Sequence, residues 1–349
     1  MRALVTGATG LIGNHLVRAL LSKGNSVKAL VRATSNVQSL PAGIELAHGD
    51  ILEEDSLRDA ARGCDIIFHA AGTFAYWGYD NQQFIYEAKK GMECIIIAAA
   101  ANNIKRVVFT SSSVTIGASE RPDVLTESST GNFNDAPGYV IAKIQQEETA
   151  FATAKKYGVE VIAVCPTLSV GGPDSHLTES NRMIVNYIND PYKSTWIGGC
   201  NIVSADDVAD AMLLLAEKGK PGERYIAGSD NLEWKEVHAK ISELCGMPGP
   251  YLTAMRTSSY LLSAVHELWY HIANERPTST REQAKMVGKY YWYNSEKLIR
   301  LGWQPMSSEA AIVQALSWLV TSLHISPSVR AAIHLHDTIY AYRKSIQAI

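Results

Sequence analysis

The segment Arg2-Ala-Leu-Val-Thr-Gly-Ala-Thr-Gly-Leu-Ile-Gly13 decides the fold. Residues 2–6 are a short apolar strand, glycines follow at positions 7, 10 and 13, and apolar side chains then recur at helical spacing. A strand that leads through a glycine turn into a helix points free N–H groups and the positive end of the helix dipole at a phosphate. A tight turn alone would also need glycines, but this order of elements favours a dinucleotide pyrophosphate site.

The second predicted strand, residues 27–31, ends at Arg32. In dinucleotide-binding folds this position faces the adenosine ribose, where an acidic residue bonds the 2′-hydroxyl and an arginine accommodates a 2′-phosphate. No carboxylate lies near Arg32 in the sequence, which favours NADP (NADPH) over NAD as the cofactor. A solvated surface arginine is the alternative.

Strands alternate with helices along the rest of the first half of the chain. Further strands are predicted at 44–50, 65–72, 106–113 and 160–165, and helices at about 82–103, from 138 and from 205. This alternation predicts an α/β fold with a doubly wound parallel sheet, a Rossmann domain, whose ligands lie at the carboxyl ends of the strands.

The second half of the chain has a looser pattern. Residues 166–173 read as a loop and 222–227 as a short strand, and helices are predicted at 234–245, 257–273, 278–287, 294–300 and 307–321. We therefore expect a smaller, mostly helical substrate lobe. We assign the NADP-binding Rossmann domain to residues 1–165, with 200–220 packing back onto it, the substrate-binding lobe to 166–322 and a helical extension to 323–349.

Tyr139 and Lys143 are four residues apart on a predicted helix, so their side chains point the same way. Beside a nucleotide pocket, such a pair can give a proton to a substrate oxygen while a hydride reaches the adjacent carbon. A phenol has an unperturbed pKa near ~10, and an ammonium within about 4–6 Å lowers it. We therefore expect Lys143 to lower the pKa of Tyr139. An ordinary exposed helix face is the alternative for an isolated pair of this spacing.

Composition excludes several other classes of protein. The formal net charge is −3 and no dense Lys/Arg run is present, so nucleic acid is not expected as a partner. No apolar run approaches the ~20 residues of a transmembrane helix, and no signal peptide is recognised. The five cysteines are scattered, which predicts free thiols in a reducing compartment and a cytoplasmic location. His334 and His336 diverge on a helix, so no metal site is predicted.

The motifs together resemble the extended short-chain dehydrogenase/reductases, within the NAD-dependent epimerase/dehydratase superfamily. The resemblance rests on the glycine turn, the Ser-rich strand end at 111–113, Tyr139-x-x-x-Lys143 and Pro166-Thr167. It is strongest for the branch similar to dihydroflavonol reductase and 3β-hydroxysteroid dehydrogenase, and includes Arg276-Pro-x-x-Thr-Arg281 and the segment 290–305. It extends from Met1 to about Ser322 and leaves the tail outside.

The resemblance implies a Ser/Tyr/Lys catalytic triad of Ser112, Tyr139 and Lys143, although Ser111 and Ser113 are close enough to leave the serine open. The residues it assigns to the dinucleotide are Gly7, Thr9, Gly10, Leu11, Ile12, Arg32, Asp50, Ile51, Ala70, Ala71, Gly72, Thr110, Tyr139, Lys143, Pro166 and Leu168. The sequence departs from the family at Ala88, where an asparagine is common.

We therefore predict an NADPH-dependent reductase of a ketone or aldehyde, or the reverse dehydrogenase, with a small carbonyl or alcohol substrate and a possible homodimer. A sugar-nucleotide epimerase and a non-catalytic dinucleotide-binding protein are the alternatives. Between residues 166 and 206 only Arg182 and Lys193 are basic, which disfavours a diphosphate substrate. The predicted substrate walls are aromatic and consist of Phe74, Tyr76, Trp77, Tyr79, Tyr187, Tyr192, Trp196 and the helix at 255–270. Residues 326–349 are expected to form one further helix.

Overall fold

A seven-stranded parallel sheet organises the computed structural model of the chain, which describes residues 1–72, 74–78, 80–129, 131, 133–174 and 176–347, without the side chains of residues 271, 346 and 347. In chain order the strands are β1 (Arg2–Thr6), β2 (Ser26–Val31), β3 (Glu45–His48), β4 (Ile66–His69), β5 (Arg106–Thr110), β6 (Glu160–Pro166), β7 (Leu168–Val170), β8 (Ser194–Trp196), β9 (Gly199–Ser204), β10 (Arg224–Ala227), β11 (Asp230–Glu233) and β12 (Leu252–Ala254).

The helices flank this sheet and build the rest of the molecule. They are α1 (Leu11–Ser22), α2 (Glu54–Ala61), α3 (Asn81–Ala101), α4 (Gly138–Tyr157), α5 (Glu179–Asn189), α6 (Ala205–Lys218), α7 (Trp234–Cys245), α8 (Arg256–Ala273), α9 (Arg281–Ala284), α10 (Glu296–Ile299), α11 (Ser308–Leu319), α12 (Pro327–Ala332) and α13 (Asp337–Gln347). A short 3₁₀ turn covers Ser113–Thr115.

The strand order in the main sheet is β3-β2-β1-β4-β5-β6-β10, and all of its pairs are parallel. The chain builds outward from β1 to β3 on one side and then from β4 on the other, so the order reverses between β1 and β4. In open parallel sheets the ligand crevice lies at such a reversal, beyond the carboxyl ends of the strands. The predicted doubly wound Rossmann architecture is confirmed.

Successive side chains of each strand point to opposite faces of the sheet, and both faces are covered by helices. On β1, Ala3 and Val5 pack on the face covered by α1 and α6, whereas Leu4 packs on the face covered by α2, α3 and α4. All three are fully buried. Because both faces are covered, the strands are continuous apolar runs, which is why they are readable in the sequence.

The strands outside the main sheet and the helices packed with them form a second group of elements, which we call the smaller lobe. It contains a three-stranded sheet in the order β11-β9-β7, a two-stranded sheet of β12 and β8, and helices including α5, α7 and α11 around a separate apolar core. The predicted loop at 166–173 is therefore wrong, because residues 168–170 form β7. Strands of three residues that pair only with β9, more than 30 residues away, leave no local pattern in the sequence.

The C-terminal segment also differs from its prediction. Two helices, α12 and α13, replace the single helix expected at 326–349, and residues 333–336 interrupt them. In this interruption the backbone N–H of His334 donates to the Cys245 carbonyl and that of His336 to the Leu244 carbonyl, at 2.9 Å each. Ile339 is fully buried, so the segment is packed onto the core of the smaller lobe. The division of the chain at residues 165 and 322 stays a prediction.

Across the described part of the chain, every helix is too short or too polar to cross a lipid bilayer.

Candidate active site

The turn between β1 and α1 admits only glycine at two positions. Gly7 has φ +72°, and a Cβ placed on it would lie 2.5 Å from the backbone nitrogen of Ala71. A Cβ on Gly13 would lie 2.0 Å from the Gly7 carbonyl oxygen. These close approaches bring the end of β1, the start of α1 and the segment after β4 together into one backbone surface.

The N-terminus of α1 is open for an anion. Gly10 is the N-cap residue and supplies no side-chain cap, and the first turn carries no acidic residue. The first backbone N–H groups of a helix lack intrahelical partners, and the dipole is positive at this end. The geometry matches the pyrophosphate site that the glycine spacing predicts.

A cleft of about 450 Å³ opens at this helix N-terminus, between the ends of β1, β2 and β4. Its lining residues include Gly7, Thr9, Gly10, Arg32, Ser35, Asp50, Ile51, His69, Ala70, Ala71, Gly72, Ala88, Lys143 and Gln146. Arg32 is exposed at the end of β2 and its guanidinium forms no ion pair or hydrogen bond with any of the described residues. The Asp50 carboxylate accepts the N–H of Leu52 at 2.9 Å.

A second cavity of about 240 Å³ adjoins the cleft and shares Gly10, Ala70, Gly72 and Lys143 with it. Its other lining residues include Leu11, Ile12, Phe74, Tyr76, Thr110, Ser112, Tyr139, Pro166, Thr167, Leu168, Thr178, Ser180, Asn201, Trp234, Met286, Tyr291 and Tyr293. Each residue that the sequence assigns to the cofactor or to the triad therefore lines one of the two cavities.

Ser112 and Tyr139 form the hydroxyl pair of the second cavity. Ser112 follows β5, Tyr139 lies in the first turn of α4, and both side chains are buried, with 8% of each residue exposed. The Ser112 hydroxyl lies beside the Tyr139 phenol and accepts the N–H of Val114 at 3.4 Å. Burial raises the pKa of Tyr139 from 10.0 to about 12, and the nearby Ser112 hydroxyl opposes part of this shift.

The neighbouring serines are engaged elsewhere. The Ser111 hydroxyl donates to the buried Glu147 carboxylate at 2.5 Å, and Ser113 lies beside Tyr293, whose phenol donates to the Gly117 carbonyl at 2.7 Å. Glu147 also accepts from Arg224 Nη1 at 3.2 Å, so Ser111 belongs to a buried ion-pair network behind the cavity. Of the three serines that the sequence left open, Ser112 is the one whose side chain lies beside the Tyr139 phenol.

Lys143 lies where the two cavities meet. Its Nζ donates to the Thr110 carbonyl at 3.0 Å and to Gln146 Oε1 at 2.9 Å. Burial lowers the pKa of Lys143 from 10.5 to about 8. The expectation that Lys143 lowers the pKa of Tyr139 is wrong for this structure, because desolvation of the phenol dominates and Lys143 bonds other partners.

Two of the predicted substrate walls do line the cavity. The rings of Phe74 and Tyr76 pack against Tyr139 with centroids 4.8 and 5.7 Å away, and those two rings contact each other at 5.6 Å. This aromatic cluster excludes water from the phenol, which explains the direction of its pKa shift.

Other predicted walls lie elsewhere. Tyr187 is in the core of the smaller lobe, where its hydroxyl bonds Ser242, and Trp196 packs edge-on against Trp234. Tyr192 is exposed at the surface, and Trp77 contacts Tyr270 of α8 outside the cavity. The α8 helix does not line the cavity. Tyr79 lies outside the described residues.

The sequence missed most of the side chains that the smaller lobe contributes. Met286, Tyr291, Tyr293, Trp234 and Asn201 come from four separate segments that meet only after folding. The aromatic run Tyr290-Tyr-Trp-Tyr293 was the one signal in the sequence for these lining residues, because ligand pockets are lined mainly by hydrophobic and aromatic side chains.

Three buried polar atoms near the two cavities have no partner among the described residues. They are Thr167 Oγ1, Asn201 Oδ1 and His69 Nε2. Thr6 Oγ1 bonds His69 Nδ1 at 2.8 Å, and burial lowers the pKa of His69 to about 3, so this ring is neutral. Each of these atoms is enclosed by protein, so its lack of a partner is a local cost to stability.

The residues fit a nicotinamide dinucleotide. The two cavities are continuous around Gly10, Gly72 and Lys143, and a Cβ on Gly72 would lie 3.4 Å from Lys143 Nζ, within the space where they join. The fold and the two joined cavities therefore define a Rossmann-fold protein of the nicotinamide-dinucleotide-binding class. The chain belongs to the NAD dependent epimerase/dehydratase family, whose profile matches residues 3–228.

Individual relatives agree with this class. The chain is 28% identical to sterol demethylase protein B of Methylococcus capsulatus, over 91% of this chain and 98% of that protein. It is 31% identical to dihydroflavonol 4-reductase of Zea mays, over 66% of this chain and 70% of that protein. The crystal structure of gox2253 is similar with a TM-score of 0.81 and 27% identity, covering 93% of this chain and 99% of that one.

The resemblance to extended short-chain dehydrogenase/reductases, and to their dihydroflavonol-reductase-like branch, is confirmed. The family and its reductase relatives support an oxidoreductase that uses NAD or NADP.

Proposed function

We propose that the protein is an NADPH-dependent reductase that converts a ketone or an aldehyde to an alcohol, or runs the reverse dehydrogenation. One observation carries this proposal. The neighbouring hydroxyls of Ser112 and Tyr139 line a largely apolar cavity that joins the dinucleotide-type cleft at Lys143. Carbonyl reduction requires a proton donor and a hydroxyl that binds the developing oxyanion, both beside a nicotinamide site.

The roles follow from the surroundings of each side chain. With a pKa raised to about 12, the Tyr139 phenol holds its proton at neutral pH and is available to donate it to the carbonyl oxygen. The Ser112 hydroxyl donates to the same oxygen as negative charge develops. Lys143 is held by Thr110 and Gln146 at the junction, where it binds the cofactor ribose. When bound, the nicotinamide supplies the hydride.

Arg32 supports NADP as the cofactor. It lines the cleft beside Ser35, and its guanidinium has no carboxylate partner among the described residues. A guanidinium that is free of a competing acid can bind a 2′-phosphate through charge-assisted hydrogen bonds.

The lining of the second cavity supports a neutral, hydrophobic substrate. Lys143 is the only charged side chain among the described residues that line it, while Phe74, Tyr76, Trp234 and Tyr291 supply aromatic surface. A sugar diphosphate needs basic donors, so this lining disfavours it.

A sugar-nucleotide epimerase is the second candidate, because the name of the matching family includes epimerases. It would need a diphosphate site that the described lining does not supply. A non-catalytic dinucleotide-binding protein is the third candidate, and the complete Ser112, Tyr139 and Lys143 set disfavours it.

A substrate panel separates these three functions. Purified protein is mixed with NADPH and, in turn, with aryl ketones, aliphatic aldehydes and nucleotide sugars, and NADPH absorbance and product chromatography are followed. The reductase proposal expects carbonyl-dependent NADPH consumption that Tyr139→Phe abolishes while NADPH binding persists. Interconversion of a sugar nucleotide without net NADPH consumption would contradict it, and so would carbonyl reduction unaffected by Tyr139→Phe.

Location and assembly stay predictions. All five cysteines are buried free thiols, which supports a cytoplasmic location in a reducing compartment. A homodimer also remains a prediction, to be measured by light scattering.

A further inference from the structure

Gln146 follows Lys143 by three residues on α4 and lines the dinucleotide-type cleft. Residues three and four apart share a face of a helix, so Tyr139, Lys143 and Gln146 form one row along α4. Gln146 is buried, with 3% of the residue exposed. Among the described residues that line the cleft, it carries the only side-chain amide. The motifs in the sequence assign it to neither the cofactor nor the triad.

The contact with Lys143 fixes which way this amide points. Lys143 Nζ donates to Gln146 Oε1 at 2.9 Å. An ammonium has three donors and no acceptor, so the amide oxygen must face Lys143, and the amide nitrogen is then turned away from it. Gln146 Nε2 donates to none of the described residues. Two N–H donors are therefore left on a side chain that lines the cleft.

Lys143 presents a further donor close by. Its Nζ bonds the Thr110 carbonyl at 3.0 Å as well as Gln146, and these two acceptors use two of its three N–H groups. Lys143 lines both cavities. The ammonium and the Gln146 amide are thus bonded neighbours that both have donors left for a molecule in the cleft.

The neighbouring helix α3 offers no substitute for this amide. The described residues of α3 that line the cleft are Phe84, Glu87, Ala88 and Gly91. Glu87 is the polar one, and its carboxylate accepts from Gln83 Nε2 at 2.8 Å. Ala88, where the family often has an asparagine, ends at its Cβ. Among these described residues of α3 and α4, side-chain N–H donors to a ligand come from α4.

We propose that Gln146 binds the dinucleotide and positions Lys143. Its amide oxygen holds the ammonium at the junction of the two cavities, and its amide N–H groups donate to a ribose or phosphate oxygen of the cofactor. This role rests on the dinucleotide-binding class of the site. It requires neither the proposed reductase activity nor the preference for NADP.

The contact also bears on the charge of Lys143. Burial lowers the pKa of Lys143 to about 8, whereas an acceptor bonded to the ammonium favours the charged form. Loss of the Gln146 acceptor should lower this pKa further, and a carboxylate in its place should raise it. The positive charge is lost as pH rises through the pKa. The pH at which half of the resulting loss of cofactor affinity has occurred, the midpoint, should therefore move in the same direction.

The groups around Lys143 leave this midpoint interpretable. Burial lowers the pKa of His69 to about 3 and raises that of Tyr139 to about 12. Burial also raises the pKa of Cys165 well above 9.0, and the Glu147 carboxylate belongs to a buried ion pair. The other charged or titratable side chains of the cleft are the same in every variant compared, and they are Arg32, Asp50, Glu87 and His176.

Cofactor titrations between pH 6 and 9 test the proposal, with NADPH or NADH, whichever the wild type binds more tightly, followed by its fluorescence. Gln146→Met keeps the length of the side chain but removes the amide. Its Kd at pH 7 should rise about tenfold, and its midpoint should fall by about one pH unit. Gln146→Glu should also bind more weakly, but its midpoint should rise by about one unit, because the carboxylate stabilises the ammonium.

Gln145→Ala is the matched control. This neighbouring glutamine lines neither cavity and bonds Glu148 at 2.9 Å, so its variant should keep the wild-type Kd and midpoint. A general loosening of the fold would move the midpoints of both Gln146 variants the same way, whereas the proposal requires opposite shifts.

Either of two results overturns the proposal: a wild-type Kd in Gln146→Met, or midpoints that stay unchanged or move together. Thermal melts check that each variant is folded. If Gln146→Met does not fold, Gln146→Glu decides, and a midpoint no higher than that of the wild type overturns the proposal. Wild type that binds neither dinucleotide would contradict the class of the site itself, and the role of Gln146 with it.

Discussion

The main sheet and the smaller lobe build the same pair of cavities in different ways. The sheet contributes short continuous segments at strand ends, at residues 7–13, 69–72 and 110–113, and much of this surface is backbone. The smaller lobe contributes single side chains such as Asn201, Trp234, Met286 and Tyr291 from distant segments. Backbone geometry therefore sets the proposed cofactor half of the site, and side-chain identity sets the proposed substrate half. The two halves should respond differently to substitution.

The largest expected effect concerns the hydroxyls at the end of β5. Ser112→Ala removes a donor to the reacting oxygen, so kcat should fall by about 100- to 1,000-fold while NADPH binding is retained. Steady-state kinetics and a fluorescence titration measure the two quantities.

Ser111→Ala is the matched control, because Ser111 bonds the buried Glu147 instead. The Ser111→Ala variant should lose about 1–2 kcal/mol in the free energy of unfolding, and its kcat should change little. If kcat instead fell in Ser111→Ala and stayed unchanged in Ser112→Ala, Ser112 would not act on the substrate.

Next in size is the effect of closing the space at the glycine turn. Gly7→Ala adds a Cβ against the backbone of Ala71 and should weaken NADPH binding on the order of 100-fold, because the pyrophosphate surface must shift. Gly24→Ala is the control, since Gly24 has nearly the same φ of +73° but open space around it. That variant should cost only about 1–2 kcal/mol in unfolding free energy and bind NADPH normally. If Gly7→Ala and Gly24→Ala lost the same NADPH affinity, the loss would come from backbone strain and not from the close approach of Gly7 to Ala71.

A smaller effect is expected at the adenosine end of the cleft. Arg32→Ala removes the one guanidinium proposed to bind the 2′-phosphate, so the preference for NADPH over NADH in kcat/KM should fall about tenfold. Arg18→Ala should leave that preference unchanged, because Arg18 does not line the cleft and bonds Asn14 and the Ser39 carbonyl. An unchanged ratio for Arg32→Ala would favour NAD as the natural cofactor.

The smallest expected effect is the pH dependence at Lys143. Its pKa is lowered to about 8, so the positive charge that attracts the anionic dinucleotide is present at pH 7 and lost as pH rises through 8. NADPH affinity should fall about threefold between pH 7 and 9, and binding to Lys143→Met should stay flat over the same range. Affinity that rises with pH in the wild type would contradict the assignment.

The sequence predicted the strands and the glycine turn of the proposed cofactor half, because local chemistry determines them. Apolar runs buried on both faces marked β1 and β5, and the spacing of Gly7, Gly10 and Gly13 marked the turn between β1 and α1. The substrate half could not be predicted in the same way. Strands as short as β7 pair at long range, and α8, which the sequence placed among the substrate walls, turns the polar side chains Ser263 and Glu267 inward.

The pKa of Tyr139 shows a second limit of the sequence. The spacing to Lys143 placed both groups at one site, but the direction of the pKa shift depends on Phe74 and Tyr76, which bury the phenol. Those rings come from a segment whose position follows from tertiary packing rather than from any motif.

The most direct test is a crystal structure of the chain with NADP⁺. The account predicts the pyrophosphate at the N-terminus of α1, the 2′-phosphate at Arg32 and the nicotinamide ring at the junction of the two cavities, beside Tyr139 and Lys143. A dinucleotide bound away from Tyr139, or a crystal saturated with NADP⁺ in which the cleft holds none, would contradict it.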